Sequence, residues 1–180
     1  MPCISEQELK DRIAKVRLLI LDVDGVLTDG RIIYDSEGRS LRFFDAQDGM
    51  GVRILLDAGI QTLLATILPS KAVEQRAKDM KVAECFQGVA PKTRILETVL
   101  EKYHIPKEEI CYVGDDLVDL GIMKAVGFPA AVANACAEIK RIACYITEKE
   151  GGRGAVREIA ELILKAQGRW EEIVEKKFDL

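Results

Sequence analysis

Short apolar runs alternate with amphipathic stretches of helical length along most of this chain, and that alternation constrains the fold more than any other feature. VRLLIL, from Val16 to Leu21, is short for a core helix and too evenly apolar for a strand with one wet face. It predicts a strand buried on both sides. Further strands are expected over Ile60–Thr66, Ala83–Gln87, Ile110–Val113, Phe128–Val132 and Cys144–Ile146. Helices are expected between them. One runs from Asp48 as its cap to about Ala58, and others cover Ser70–Met80 and Pro91–Tyr103, the latter with its proline in the first turn. Another follows the strand at Ile110 and runs through about Val126, and the last two cover Ala135–Ile142 and Ala155–Gln167. RIIYDSEGRSLRFF holds two short apolar segments around a DSEG turn and predicts a hairpin. Strand–helix alternation at this spacing argues for an α/β fold: a doubly wound, mostly parallel sheet with a small β-hairpin insertion. In such sheets ligands bind beyond the carboxyl ends of the strands.

Composition narrows the function classes. The 180 residues are taken as one domain, 1–180, with 168–180 as a C-terminal tail free to be flexible. A net charge of −4 with no long basic run argues against a nucleic-acid partner. No apolar stretch approaches the roughly 18 residues that cross a bilayer, and the N-terminus MPCISEQELKDRIAK is polar and mixed in charge, unlike a secretory leader. A cytoplasmic protein with no membrane partner is the expectation. Cys3, Cys85, Cys111, Cys136 and Cys144 are taken as buried or partly buried thiols. None has an arginine six residues on, which removes the phosphate-cradling loop of cysteine phosphatases. His104 is the only histidine, so histidine phosphoryl transfer and His-rich zinc sites are also removed.

The polar residues at the strand exits carry the chemistry. Asp22 and Asp24 fall as the first strand ends, in LDVDGVLTDG; Thr66 ends the second; Lys92 starts a helix; Asp115, Asp116 and Asp119 follow ICYV, in GDDLVD. If the strands are parallel, all of these share one edge of the sheet. Carboxylates gathered in that way repel one another unless a cation joins them or one has a raised pKa. Hard oxygen ligands suit Mg²⁺, and Lys92 beside them would neutralise both carboxylates and a bound phosphate. Solvated turn aspartates would explain any one of these residues, but not the ordered set.

DVDGVLTDG, Thr66, Lys92 and GDDLVD resemble, in order, the four motifs of the haloacid dehalogenase superfamily of phosphotransferases. The resemblance implies a Rossmann-like sheet with no cap domain, because only a hairpin and a helix separate the first motif from Thr66. It implies Asp22 as the nucleophile and Asp24 as the general acid and then base. It also implies a magnesium ion held by Asp22, Asp115 and the main-chain carbonyl of Asp24. Thr66 would donate to the phosphoryl oxygens and Lys92 would neutralise charge. Asp116 and Asp119 would orient the metal ligand and Lys92 from behind. Gly25 would let the chain leave the strand beside the phosphate.

Beyond the motifs, DVDGVLTDGRIIYDSEG, FDAQDGMGVRIL, FQGVAPK, YVGDDLVDLGIM and GGRGAVREIAELILKAQG are similar to the small uncapped subfamily that includes 3-deoxy-D-manno-octulosonate 8-phosphate phosphatases. That similarity implies a sugar-phosphate substrate, a role in lipopolysaccharide synthesis, and a homotetramer in which Ile32, Ile33, Leu41 and Phe43 of the hairpin meet neighbouring subunits. It also implies a substrate or interface role for Gly151–Gly154, whose backbone at a helix start would receive an anion and whose Arg153 would touch substrate. The chain departs from the subfamily in two places. Ile67-Leu68-Pro69 follows Thr66 where Gly-Arg is usual, and Gln47 stands where a basic residue is common. Lys71 or Arg76 are candidates to compensate. A nine-carbon keto-sugar acid 9-phosphate is the alternative substrate, and a non-catalytic tetrameric scaffold the alternative of another class. A signalling receiver is disfavoured by motif order, since its phosphorylated aspartate stands alone on a later strand.

Overall fold

The computed structural model describes residues 4–178 of the 180-residue chain; Cys3 and the last two residues of the expected tail lie outside them. In chain order the elements are α1 (Glu6–Ala14), β1 (Leu18–Leu21), β2 (Ile33–Tyr34), β3 (Ser40–Leu41), α2 (Ala46–Asp57), β4 (Gln61–Thr66), α3 (Lys71–Met80), β5 (Glu84–Gln87) and α4 (Thr93–Tyr103). They continue with β6 (Ile110–Gly114), α5 (Leu120–Met123), β7 (Phe128–Ala131), α6 (Ala137–Ile142), β8 (Tyr145–Ile146), α7 (Ala155–Ala166) and α8 (Trp170–Phe178).

Six strands form one parallel sheet in the order β5-β4-β1-β6-β7-β8, and β2 and β3 pair antiparallel on their own. Helices cover both faces of the sheet, which is why the central strands are apolar at every position. Leu18–Leu21 are fully buried, as are Ile110–Val113. Helix α7 sets Ala155, Val156, Ile159, Ala160, Ile163 and Leu164 on its inner side, at helical spacing, and packs on α2 and α1. From β1 the chain adds β4 and β5 on one side, then crosses back to β6, β7 and β8 on the other. The switch point therefore lies between β1 and β6, where the amide of Asp22 continues the pairing by donating to the Val113 carbonyl at 3.0 Å. Segments long enough to form a cap domain are absent among the described residues: the hairpin and α2 fill the stretch from β1 to β4, and α4 the stretch from Lys92 to β6.

The strand expectations hold to within two residues, and the helix expectations need corrections. Asp48 does not cap α2. Asp45 does, accepting from the amides of Gln47 and Asp48, while Asp48 turns inward, fully buried, toward the start of α7. Pro91 stands before the cap of α4 and follows a cis peptide bond from Ala90, so Lys92 is the residue at the cap position. The helix expected through Val126 is a 3₁₀ turn over Leu117–Asp119 and then the four residues of α5. Helix α1 was not expected, although Ser5 caps it by accepting from the Glu8 amide at 3.1 Å, a Ser-x-x-Glu pattern visible in the sequence. In the segment taken as a tail, α8 sets Trp170 and Ile173 against the core, with the Arg157 guanidinium 5.2 Å from the Trp170 ring.

Candidate active site

The carboxyl ends of β1, β4 and β6 bring the motif residues to one place. Asp22, Asp24, Thr66, Asp115 and Asp116 line a cavity of about 220 Å³ together with Gly30, Ile67, Leu68 and Val118. Lys92 and Asp119 lie beneath it, buried.

Lys92 organises the floor. Its ammonium lies 2.7 Å from Asp22 Oδ1 and 2.7 Å from Asp119 Oδ1, and donates to the Tyr112 hydroxyl at 3.2 Å. Three donors meet three acceptors, so its position is fixed. Tyr112 in turn donates to Asp119 Oδ1 at 2.6 Å, and Asp119 Oδ2 accepts from the amides of Asp115 at 3.0 Å and Asp116 at 3.4 Å. Asp116, exposed, caps the 3₁₀ turn by accepting from the Leu117 amide at 2.8 Å. Tyr112 was missed in the sequence because ICYV looks like any core strand. The available signal was that a buried phenol needs a partner for its hydroxyl.

The electrostatics leave a cation wanting. Asp22, Asp115 and Asp119 offer oxygens within 4.8 Å of one another around the single ammonium of Lys92. Burial, then the charge of Asp119, pushes Asp22 up to about 8 against the pull of Lys92. Burial and the charges of Asp119 and Asp116 push Asp115 up to about 6. Burial works to lower the Lys92 ammonium, but Asp22 and Asp119 hold it above its ordinary value. Asp119 has both oxygens engaged within the chain, whereas Asp115 Oδ1 is buried with no hydrogen-bond partner. The oxygen left without a partner thus belongs to Asp115, within reach of Asp22, and a small, hard divalent cation such as Mg²⁺ fits that donor set.

Glycines shape the same corner. Gly25, at φ +95°, sits against Asp115; a Cβ there would lie 2.0 Å from Asp115 Oδ2. Gly151 packs on the Gly25 carbonyl so closely that a Cβ would fall 1.7 Å from its oxygen. The amides of the glycine loop, expected to receive an anion, are engaged within the chain. Gly151 N donates to Asn134 Oδ1, Gly152 N to the Val26 carbonyl, Arg153 N to the Glu150 carbonyl and Gly154 N to Asp48 Oδ2. The Arg153 side chain is exposed and not among the residues lining the cavity. Nor does Arg76 face it: its Nη2 donates to the Asp45 carbonyl at 2.6 Å and it stacks over Phe44. Thr66 is buried with its Oγ1 accepting from the Leu68 amide at 3.2 Å, which leaves its O–H to donate into the cavity. Asp24 meets a residue the sequence reading missed, Arg42, whose Nε and Nη2 donate to its two oxygens at 2.7 and 3.2 Å.

Known proteins resemble this chain in sequence and in fold. Residues 59–159 match the family described as haloacid dehalogenase-like hydrolase. The chain is 43% identical over 165 residues to the 3-deoxy-D-manno-octulosonate 8-phosphate phosphatase KdsC of Escherichia coli K12, covering 90% of this chain and 88% of that protein. It is 39% identical over 160 residues to KdsC of Yersinia pestis, covering 89% and 86%. The crystal structure of 3-deoxy-D-manno-octulosonate 8-phosphate phosphatase from Moraxella catarrhalis, in complex with magnesium ion, phosphate ion and KDO, superposes with a TM-score of 0.92 at 38% identity over 96% of this chain and 99% of that one. By motif order, fold and these matches, the chain belongs to the haloacid dehalogenase-like hydrolase family.

Proposed function

We propose that this chain is a magnesium-dependent phosphomonoesterase that hydrolyses 3-deoxy-D-manno-octulosonate 8-phosphate to the free keto-sugar acid and phosphate, for lipopolysaccharide synthesis. The observation that carries the reading is Lys92, bound to both Asp22 and Asp119 beside the unpartnered Asp115 oxygen. Asp22 attacks phosphorus in line and the ester P–O bond breaks, while protonated Asp24 gives its proton to the leaving oxygen. Water then attacks the aspartyl phosphate and gives a proton to Asp24, and the bond to Asp22 breaks to restore its carboxylate. Thr66 donates to a phosphoryl oxygen, and Lys92 holds Asp22 in place and offsets the phosphate charge. Asp119 fixes Lys92 and the Asp115–Asp116 amides, and Asp116 fixes the turn. Asp22, Asp115 and the Asp24 main-chain carbonyl would hold Mg²⁺, which when bound supplies charge neutralisation for the phosphoryl group. Gly25 leaves room for Asp115.

The eight-carbon acid is supported by relatives that match along most of the chain. Ile67 and Leu68 give the mouth no cation for the substrate carboxylate, so that contact comes from a neighbour in a homotetramer, with exposed Arg153 the candidate. Assembly is supported by the hairpin, a pair of two-residue strands with Ile32, Ile33, Tyr34, Leu41 and Phe43 exposed. The whole chain acts as one domain in the cytoplasm; no helix among the described residues is long and apolar enough to cross a membrane. Phosphate release from a panel of sugar phosphates, with Mg²⁺ and with EDTA, tests the reading. It predicts metal-dependent release strongest with the eight-carbon acid; preference for the nine-carbon 9-phosphate would move the substrate, and no release from any ester would overturn the enzyme.

A further inference from the structure

Arg42 is the one cation besides Lys92 that the described structure buries against a carboxylate of the site. Its side chain is 4% exposed and each of its three nitrogens donates within the chain: Nε to Asp24 Oδ1 at 2.7 Å, Nη2 to Asp24 Oδ2 at 3.2 Å, and Nη1 to Ser40 Oγ at 3.2 Å. It stands one residue past β3, between Leu41 and Phe43, which are exposed. A surface ion pair of this kind would matter little. This one is enclosed, bidentate, and takes both oxygens of the residue assigned to move protons.

That geometry fixes the direction of the Asp24 carboxyl group. A guanidinium is a planar fork whose N–H donors reach two carboxylate oxygens at once. Here the contact to Oδ1, at 2.7 Å, is shorter than the contact to Oδ2, at 3.2 Å. We propose that Arg42 is a positioning residue for Asp24, holding its carboxyl group in place for both half-reactions. The proposal rests on the reading of Asp24 as the acid–base group. In the first half-reaction the Asp24 proton goes to the ester oxygen as its bond to phosphorus breaks. In the second, Asp24 takes a proton from the water that attacks phosphorus as the bond to Asp22 breaks. Because Arg42 belongs to the hairpin, whatever packs on Leu41 and Phe43 also steadies Asp24.

The test compares the full-length protein with Arg42→Gln and Arg42→Lys, all with Mg²⁺, on an alkyl ester (a sugar phosphate) and on p-nitrophenyl phosphate. The aryl oxide leaves without a proton, whereas the alkoxide does not, and both routes need a base for water. Arg42→Gln is expected to lower kcat on the alkyl ester about 10- to 100-fold, part of the ~10²–10⁴ that positioned acid–base catalysis supplies. On the aryl ester it is expected to release one p-nitrophenolate per site in a burst, followed by slow turnover. KM stays nearly unchanged, and Arg42→Lys, which keeps the charge and one contact, recovers part of kcat. An equal loss on both esters with no burst, or a raised KM with kcat unchanged, would overturn the positioning role, as would an Arg42→Gln enzyme that turns over both esters normally. If the unaltered protein is itself inactive on both esters, the phosphatase reading fails, and Arg42's role with it.

Discussion

Lys92 is 2% exposed and Phe43 is 67% exposed, and these two side chains mark regions of the molecule that are built in opposite ways. Around Lys92 the chain supplies its own partners: two carboxylates, a phenol, and the backbone of the GDDLVD turn that positions one of those carboxylates. Around Phe43 it supplies two strands of two residues each, with apolar side chains left facing outward. Phosphoryl chemistry depends on groups held in place before substrate arrives, so the floor is made by the chain's own central strands. In the proposed tetramer, recognition of the rest of the substrate would depend on surfaces that one copy leaves unfinished. Arg42 is the link, a hairpin residue that reaches the floor through Asp24.

The sharpest way to break the comparison is at the floor. Asp22→Asn should lower turnover by roughly 10⁴–10⁶, the scale of removing a nucleophile, while circular dichroism shows a folded protein. Measurable turnover near the unaltered rate would reassign the nucleophile. Lys92→Met should cost about 3–5 kcal/mol in urea unfolding, because it leaves buried carboxylates without their ammonium. Added Mg²⁺ should restore part of that loss, and a variant as stable as the parent in EDTA would show that Lys92 does not hold the floor together.

Away from the floor, Asp48 ties the glycine loop to α7 by accepting from the amides of Gly154 and Arg157. Burial, against those hydrogen bonds, raises it from 3.8 to about 6. The unfolded chain therefore ionises first, so the stability Asp48 contributes is whole below about pH 4 and is lost as pH rises through about 6. Relative to Asp48→Asn, the unaltered protein should lose about 1–3 kcal/mol over that window. Urea unfolding of both proteins at a series of pH values checks this, and a pH-independent difference would contradict it.

The smallest effect on the fold is expected at the hairpin. Leu41→Ser with Phe43→Ser should change the stability of one subunit by no more than about 0.5 kcal/mol, yet sedimentation should show the proposed tetramer falling to smaller species. A large loss of subunit stability with assembly intact would place those side chains in the core instead.

Much of this was legible in the sequence because parallel strands buried on both faces are written as unbroken apolar runs. The residues just past those runs must then lie on one edge, which placed Asp22, Thr66 and Asp115 correctly from spacing alone. What was not legible was long-range pairing. Arg42 and Asp24 are 18 residues apart, and Lys92 and Tyr112 are 20 apart, so nothing local announces either contact. Asp48 looked like a cap because aspartate before a helix usually is one; Asp45, three residues earlier, took that role and released Asp48 to serve α7. The glycine loop looked free to receive an anion because its sequence does not show that Asn134, Val26 and Asp48 already accept from its amides.

The most direct test of the account is to find where the phosphoryl group goes. Asp24→Asn protein mixed with Mg²⁺ and p-nitrophenyl phosphate, quenched in acid and digested for mass spectrometry, should carry one phosphoryl group on the peptide containing Asp22 and specifically on that residue. Release of p-nitrophenol with no phosphoryl group on the protein, or with the group on any other side chain, would contradict it.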